Sequence, residues 1–177
     1  HILIDRGLID FDAPVARYWP EFATAGKERV LVRHVLSHTD GVIFCDRAPP
    51  GSWFDWDVHI HALEQQEPAW EPGTRGAYNS VNIGFLLGEL VRRVTGRTLG
   101  TFLREAVTGP LGADYHIGLT PEQIARVSDM HRNPKNGFFA IASDPTTPLG
   151  RAFRSAPSFG YFQNCREIRE IEVPSFG

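Results

Sequence analysis

One stretch decides the fold of this chain: Trp70-Glu71-Pro72-Gly73-Thr74-Arg75-Gly76-Ala77-Tyr78-Asn79-Ser80-Val81-Asn82-Ile83-Gly84. Pro72 is excluded from helix interiors, and Gly73 and Gly76 permit positive φ, so these residues predict a tight turn. Tyr78 follows that turn and precedes an apolar, helix-forming run. A polar aromatic side chain in this place has little conformational freedom, which suits either a catalytic group or a structural corner.

The residues after Tyr78 predict an amphipathic helix over 79–95. Its apolar side chains recur at three- and four-residue spacing: Ile83, Leu86, Leu87, Leu90, Val91 and Val94. Asn79 or Ser80 can cap the N-terminus with a side-chain oxygen. Gly96 is expected to end the helix, because glycine readily adopts the left-handed conformation of a C-terminal cap.

Two further helices are predicted over 98–107 and 121–129. Thr98 is positioned to cap the first of them. The second begins with a threonine cap, a proline at the first helical position and Gln123 placed for a capping box. Shorter helices are predicted over 1–6, 30–37, 55–66, 151–153 and 164–171. Few strands are expected anywhere in the chain.

The opening stretch resembles the tyrosine motif of the serine β-lactamase and penicillin-binding-protein superfamily: Trp-x-Pro-Gly, a short spacer, then Tyr-x-x and a glycine-containing apolar helix. The resemblance is closest to the class C β-lactamases and the β-lactamase-like (family VIII) esterases. Those enzymes often have Tyr-x-Asn here, whereas this chain has Tyr78-Asn79-Ser80. The esterases often depart at the third position too, which favours ester hydrolysis.

Two other segments carry the same resemblance. The turn Leu36-Ser37-His38-Thr39-Asp40-Gly41 matches a superfamily turn that borders the active-site cavity without performing chemistry. The run Gly96-Arg97-Thr98-Leu99, followed by Gly109-Pro110-Leu111-Gly112-Ala113, is a further match. The resemblance implies an α+β fold of the β-lactamase/transpeptidase type, of which residues 1–177 would be the mostly helical part of one serine hydrolase domain.

The resemblance also implies a mechanism through an acyl-enzyme, with carboxylic esters or related acyl compounds as the small-molecule substrate. A β-lactam or a D-alanyl peptide remains open as the substrate class. Tyr78 would be catalytic, and Ser80 would contact the substrate where relatives place an asparagine amide. No cofactor and no metal are implied.

Two of the superfamily's three signatures are missing from the sequence. The signatures are Ser-x-x-Lys, the Tyr or Ser-Asp-Asn element, and Lys-Thr-Gly or a variant. No serine has a lysine three residues later; the serines are 37, 52, 80, 128, 143, 155, 158 and 175. The lysines are Lys27 and Lys135, neither in a signature context. We therefore interpret the chain as an internal fragment, with the nucleophile expected before His1 and the last signature beyond Gly177.

Such a fragment is predicted to be inactive alone, because a free tyrosine has a pKa of about 10 and is a poor base at neutral pH. The alternative belongs to a different class of protein, a non-catalytic homologue or a helical binding module without hydrolase activity. An in-frame Ser-x-x-Lys shortly upstream of residue 1 would decide for the enzyme.

Composition limits the remaining options. A chain of 177 residues with 42% hydrophobic residues suits one globular domain, and a net charge of -3 argues against nucleic-acid or anionic-membrane partners. No apolar run approaches the roughly 20 residues that span a bilayer. The first residues do not form a signal peptide, so a cytoplasmic location is favoured, with the parent's N-terminus expected outside the chain.

Metal binding is disfavoured by the histidine and cysteine spacing. His34 and His38 are four residues apart, as two ligands on one helical face would be, but no third ligand follows. A structural role is favoured for both. Cys45 and Cys165 are far apart and fit no metal spacing, so we interpret them as reduced thiols.

Overall fold

The computed structural model describes residues 1–131, 133, 137–157 and 164–173. Lys135, one of the two lysines considered above, lies outside this part of the chain, as do Ser158 and Ser175. Within it the regular secondary structure is helical, apart from one isolated bridge. The α-helices are α1 (Ile2–Asp5), α2 (Val32–Leu36), α3 (Trp56–Glu64), α4 (Asn82–Thr95), α5 (Leu99–Leu103), α6 (Gly109–Leu111), α7 (Pro121–Ile124), α8 (Phe138–Ala142), α9 (Pro148–Ala152) and α10 (Arg166–Glu170).

Strand pairing is reduced to one contact in the described residues. Pro14 and Leu31 form an isolated antiparallel bridge. On either side of it, Val15 N–H donates to Val30 C=O at 2.8 Å, and Val32 N–H donates to Ala13 C=O at 3.0 Å. The expectation of few strands is therefore confirmed for the part of the chain that the structure describes. Short 3₁₀ helices occupy Val15–Arg17, Pro20–Ala23 and Ser52–Phe54.

Helix α4 is the centre of the core and contacts α2, α3 and α5. Its buried face includes Leu86, Leu90 and Val91, as the periodicity predicts, together with Phe85, which the periodicity did not include. Gly96 ends the helix at φ 70, and its N–H donates to Arg92 C=O at 2.8 Å. Burial of this face supplies most of the stability of such a helix, because isolated helices of this length are marginal in water.

The start of α4 differs from the prediction. The helix begins at Asn82, not at residue 79. Asn79 does supply a capping bond, since its Oδ1 accepts the Asn82 N–H at 3.0 Å. Ser80 and Val81 form the intervening turn and lie outside the regular helix. Asn79 acts as a cap three residues upstream because its amide is held by a neighbouring segment, described below.

A buried carboxylate joins α3 to α4. Glu89 is fully buried and accepts hydrogen bonds from Trp56 Nε1 at 3.0 Å, Arg92 Nε at 2.7 Å and Arg93 Nε at 2.7 Å. Burial alone would raise the pKa of Glu89, but these donors outweigh burial and hold the pKa below its ordinary value. Trp56 lies across Gly88, where an added Cβ would come within 2.5 Å of the indole. The packing of Trp56 from α3 against α4 therefore requires a glycine at position 88.

Of the later helices, one changes its type partway along and another is shorter than predicted. The segment predicted as a helix over 98–107 begins as α5 with a Thr98 cap, then continues as a π-helical turn over Arg104–Thr108. Helix α7 ends at Ile124 instead of residue 129, although its predicted capping box is present. No residue of α7 is buried, so packing does not stabilise a longer helix there.

The first helices follow the predicted pattern more closely than the later ones. Helix α9 begins at Pro148, ahead of the predicted 151–153, and α8 lies where no helix was predicted, whereas α10 lies within the predicted 164–171. Helices α1, α2 and α3 lie within the ranges predicted as 1–6, 30–37 and 55–66. Asp55 caps α3, and its side chain accepts the Val58 N–H. Across the described residues, no helix combines the length and the apolar character needed to cross a bilayer.

Candidate functional site

Two segments lie side by side and build the candidate site. We call residues 37–41 the histidine turn and residues 70–81 the tyrosine loop. Backbone hydrogen bonds connect them at two places: Gly73 N–H donates to Thr39 C=O at 2.9 Å, and Ala77 N–H donates to His38 C=O at 3.2 Å. A loop that is bonded along its length in this way holds the residue that follows, Tyr78, in one place.

Glycine is required at one of the two loop positions considered in the sequence. Gly73 has φ +86, and an added Cβ would lie 2.9 Å from Nε2 of His34. The expected positive φ is therefore present at Gly73. Gly76 does not have positive φ, and an added Cβ would be in ordinary contact with Thr39 Cγ2 at 3.7 Å and with the His38 carbonyl oxygen at 3.8 Å. Of the two glycines that permit positive φ, the turn uses that conformation at Gly73 and not at Gly76.

Tyr78 projects from this loop into solvent. Its exposed fraction is 81%, and its ring centroid lies 4.9 Å from that of His38. Tyr78 and the half-buried Ser80 line one pocket of about 180 Å³. The other lining residues are Ile43, Asn79, Val81, Asn82, Pro148, Leu149, Ala152 and Phe153. The two residues singled out from the sequence thus meet at the same concave surface.

The residue between them is turned inward. Asn79 is buried, and its Nδ2 donates to Val42 C=O at 2.8 Å while its Oδ1 accepts the Asn82 N–H. Asn82 is buried as well and donates through Nδ2 to Val42 C=O and Phe44 C=O, both at 3.1 Å. These two amides anchor the start of α4 to the segment after the histidine turn. Asn79 therefore supports the pocket instead of presenting its amide to a substrate.

A second polar row begins at Asn82, one of the pocket-lining residues, and continues into the interior. Ser52 Oγ is 2.9 Å from His59 Nδ1, and His59 Nε2 is 3.2 Å from Asn82 Oδ1. Because Asn82 Nδ2 is occupied by two carbonyls, its Oδ1 is the acceptor and His59 Nε2 carries the hydrogen. His59 Nδ1 is then the acceptor for the Ser52 hydroxyl. The arrangement has the connectivity of a serine–histidine–amide triad.

This row is sealed from solvent. Ser52 is 3% exposed, His59 0% and Asn82 2%. Burial lowers the pKa of His59 to about 4, so the imidazole is neutral at neutral pH. Without access for a substrate carbonyl, the row serves as a structural hydrogen-bond network. Sequence reasoning missed it; the only signal was a histidine among the buried positions of α3, next to Ile60.

The remaining ionisable residues near the core are committed to structure. Lys27 is fully buried, and its ammonium donates to the carbonyls of Thr24, Glu64 and Gln66 at 2.6 to 2.9 Å. Burial lowers the pKa of Lys27 to about 8. Asp40 is also buried; its Oδ1 accepts the Val42 N–H, and burial raises the pKa of this carboxyl to about 6.

His34 and His38 do not share a helical face. Helix α2 ends at Leu36, before His38. Each imidazole accepts a backbone hydrogen bond through Nδ1, from Leu31 N–H in the case of His34 and from Asn79 N–H in the case of His38. Both have the structural bonds favoured from the sequence. In the described ranges, no three histidine, cysteine or acidic side chains converge as metal ligands. Cys45 is buried and Cys165 is half-buried.

Comparison with known proteins gives this geometry a family context. The family model described as Beta-lactamase matches residues 1–156. The esterase/beta-lactamase LipL of Mycobacterium tuberculosis is 38% identical over 125 residues, which are 68% of this chain and 28% of that protein.

Two solved structures are similar over nearly the whole chain. A family VIII carboxylesterase matches with a TM-score of 0.84 at 38% identity, covering 98% of this chain and 46% of that one. A penicillin-binding-protein homologue from Caulobacter crescentus matches with a TM-score of 0.79, also at 38% identity and with the same coverage of both chains. The chain thus has the fold of part of these proteins and spans less than half of their length.

Proposed function

Since the chain belongs to the beta-lactamase family, we propose that it forms part of a serine hydrolase that cleaves carboxylic esters through an acyl-enzyme. The observation that carries this proposal is the place of Tyr78. Its side chain is exposed beside a pocket, on a loop that backbone hydrogen bonds hold against the histidine turn. A group that must accept and return a proton needs such access together with a fixed backbone.

In this proposal Tyr78 transfers a proton between the nucleophile and the leaving group. The serine attacks the ester carbonyl, the alcohol leaves, and water then hydrolyses the acyl-enzyme. No Ser-x-x-Lys occurs in residues 1–177, so the serine and its lysine come from segments of the encoded protein outside this chain. Residues 1–177 would then supply one catalytic side chain and one wall of the cleft.

Ser80 supports an ester as the substrate over a β-lactam. Where the superfamily often has an asparagine two residues after the tyrosine, this chain has a hydroxyl at the pocket. The side-chain amide of the neighbouring Asn79 is hydrogen-bonded inside the protein, where it donates to Val42 C=O and accepts the Asn82 N–H. Neither residue offers the pocket a side-chain amide to hold the acylamino group of a penicillin or of a D-alanyl peptide.

The direct test is covalent labelling. The complete encoded protein and the chain 1–177 are treated with a fluorophosphonate probe, and the adduct is located by mass spectrometry. We expect one labelled serine in the complete protein, outside residues 1–177, and no labelling of the chain alone. Turnover of a short-chain chromogenic ester, a chromogenic cephalosporin and a D-alanyl-D-alanine peptide would rank the substrate classes, with the ester first.

Each opposite outcome has a distinct meaning. A labelled serine within residues 1–177 would show that the nucleophile is misassigned. A complete protein that is neither labelled nor active on any of the three substrates would favour a non-catalytic homologue. Preferred turnover of the cephalosporin would keep the hydrolase and overturn the choice of ester.

A further inference from the structure

His38 has a backbone conformation that is rare for its residue type. Its φ is 57, in the left-handed region; Ala25 is the other non-glycine residue with positive φ in the described part of the chain. Side chains with a Cβ seldom adopt this conformation, and it persists where surrounding contacts determine it. In this conformation His38 C=O accepts the Ala77 N–H at 3.2 Å. The unusual backbone therefore holds the residue immediately before Tyr78.

The side chain of His38 holds the residue immediately after Tyr78. Its Nδ1 accepts the Asn79 N–H at 3.1 Å. Nδ1 must be unprotonated to accept this bond, so the neutral ring carries its hydrogen on Nε2. The same ring packs against Tyr78 with centroids 4.9 Å apart and planes tilted by 47°. One residue thus contacts the amide before Tyr78, the amide after it, and the aromatic ring itself.

We propose that His38 is a positioning residue for Tyr78 during hydrolysis. This inference rests on the proposed catalytic function of Tyr78. With 81% of its surface exposed, the ring receives little support from the core. The hydrogen bonds from the Ala77 and Asn79 amides restrict the backbone on both sides of Tyr78, and the imidazole face restricts the direction of the tyrosine ring. Proton transfer depends steeply on such restriction, since a misplacement of about 1 Å can cost about 100-fold in rate.

Two substitutions separate the contributions of His38. Glycine adopts φ +57 without strain, so His38→Gly keeps the backbone conformation and removes the imidazole acceptor. Asparagine also tolerates this conformation, and its Oδ1 can take the place of Nδ1, so His38→Asn keeps the acceptor while removing the ring. Both variants are compatible with the local fold. The difference between them reports on the bond to Asn79.

A matched control comes from the other imidazole of this region. His34 Nδ1 accepts the Leu31 N–H at 3.2 Å, a bond of the same kind at the start of α2. His34→Phe removes that acceptor and keeps a ring against Gly73, which the imidazole contacts in the native chain. This control loses an equivalent bond without releasing either amide beside Tyr78.

The experiment measures kcat and KM for a short-chain ester, the melting temperature, and hydrogen exchange of the Asn79 amide, all in the complete encoded protein. We expect His38→Gly to lower kcat by about 100-fold with KM nearly unchanged, and to accelerate exchange at Asn79. His38→Asn should recover most of kcat and most of the amide protection. His34→Phe should leave both kcat and Asn79 exchange unchanged, even if its melting temperature falls.

The opposing results are equally specific. Normal kcat and normal exchange in His38→Gly would overturn the inference. The inference would also be overturned if kcat fell equally in His38→Gly, His38→Asn and His34→Phe, in parallel with their melting temperatures. That result would show that His38 only stabilises the protein in general. If the wild-type protein has no turnover, the proposed function fails. Asn79 exchange then still decides whether His38 restrains the tyrosine loop.

Discussion

Two regions of this molecule hold side chains suited to hydrolysis, and they differ in access. The sealed row Ser52, His59 and Asn82 has hydrogen bonds of 2.9 and 3.2 Å in the order of a nucleophile triad, yet its members are 3%, 0% and 2% exposed. Tyr78, by contrast, is 81% exposed to solvent and lies beside a pocket. Alignment of donors and acceptors is thus insufficient evidence of a catalytic site.

The same comparison explains how each region is stabilised. In the sealed row every polar atom has a partner, because an unpaired polar group in the interior would cost about 1–3 kcal/mol. On either side of Tyr78 the amides of Ala77 and Asn79 are bonded to His38, whereas the tyrosine side chain is exposed to solvent. The exposed side chain of Tyr78 can therefore be removed at little cost to folding, whereas a member of the sealed row cannot. Four predictions follow from this contrast, in order of expected effect.

The largest effect is expected for Tyr78→Phe in the complete encoded protein. Activity should fall by about two to four orders of magnitude, as is typical for loss of a general acid–base. The free energy of unfolding should change by less than about 1 kcal/mol, the size of one ordinary hydrogen bond. Tyr115→Phe is the matched control, since Tyr115 is exposed in a different pocket. Near-normal turnover of Tyr78→Phe, with a lowered melting temperature, would make Tyr78 a structural residue.

The second prediction uses pH, because the two regions respond to it in opposite directions. Burial lowers the pKa of His59 to about 4, so the stability it contributes is complete above its ordinary pKa and is lost as pH falls through 4. Burial raises the pKa of Asp40, in the histidine turn, to about 6. Its contribution is complete at low pH and is lost as pH rises through 6. Within the described residues Asp40 Oδ2 has no hydrogen-bond partner, which agrees with a protonated carboxyl.

Urea unfolding between pH 4 and pH 7.5 can separate these two effects. Relative to wild type, Asp40→Asn should gain stability on going to the higher pH, by on the order of 3 kcal/mol. His59→Gln should change relative to wild type in the opposite direction over the same interval, by a similar amount. Comparing each variant with wild type at each pH cancels the other titrating groups. A difference from wild type that does not vary with pH would show that the replaced group does not titrate in this range.

A smaller effect is expected for Ser52→Ala, which distinguishes the sealed row from a working triad. Loss of the hydroxyl leaves His59 Nδ1 without its donor, so we expect a loss of about 1–3 kcal/mol in the free energy of unfolding. Ester turnover of the folded protein should stay within a factor of about three of wild type, because Ser52 has no route to substrate. Loss of turnover with stability preserved would instead identify Ser52 as a nucleophile.

The smallest effect is expected for Ser80→Asn, which tests the substrate side of the open pocket. An added amide should improve kcat/KM for a cephalosporin relative to the ester by about tenfold, equivalent to roughly one hydrogen bond. Asn79→Ser is a useful comparison, because that change removes the buried bonds to Val42 and Asn82 and should lower the melting temperature instead. An unchanged preference in Ser80→Asn would remove Ser80 from substrate recognition.

Local chemistry explains what was predictable from sequence alone. Thr98 and Thr120 cap their helices as expected, and Gly96 ends α4, because each of these bonds spans only three or four residues. The helical character, the scarcity of strands in the described residues and the family resemblance also followed from sequence. So did the choice of Tyr78 and Ser80 as neighbours, since residues two positions apart after one turn face the same small region.

Only the tertiary structure decided which polar residues are open and which are sealed. The bond from Asn79 N–H to His38 joins residues 41 positions apart, and that between His59 and Asn82 joins residues 23 positions apart. Such bonds leave no periodic trace in a sequence, because each depends on two elements packing together. The shift of the α4 start to Asn82 has the same origin, since Asn79 is held by Val42. Sequence therefore determined the types of the site's residues, and long-range packing determined their access to solvent.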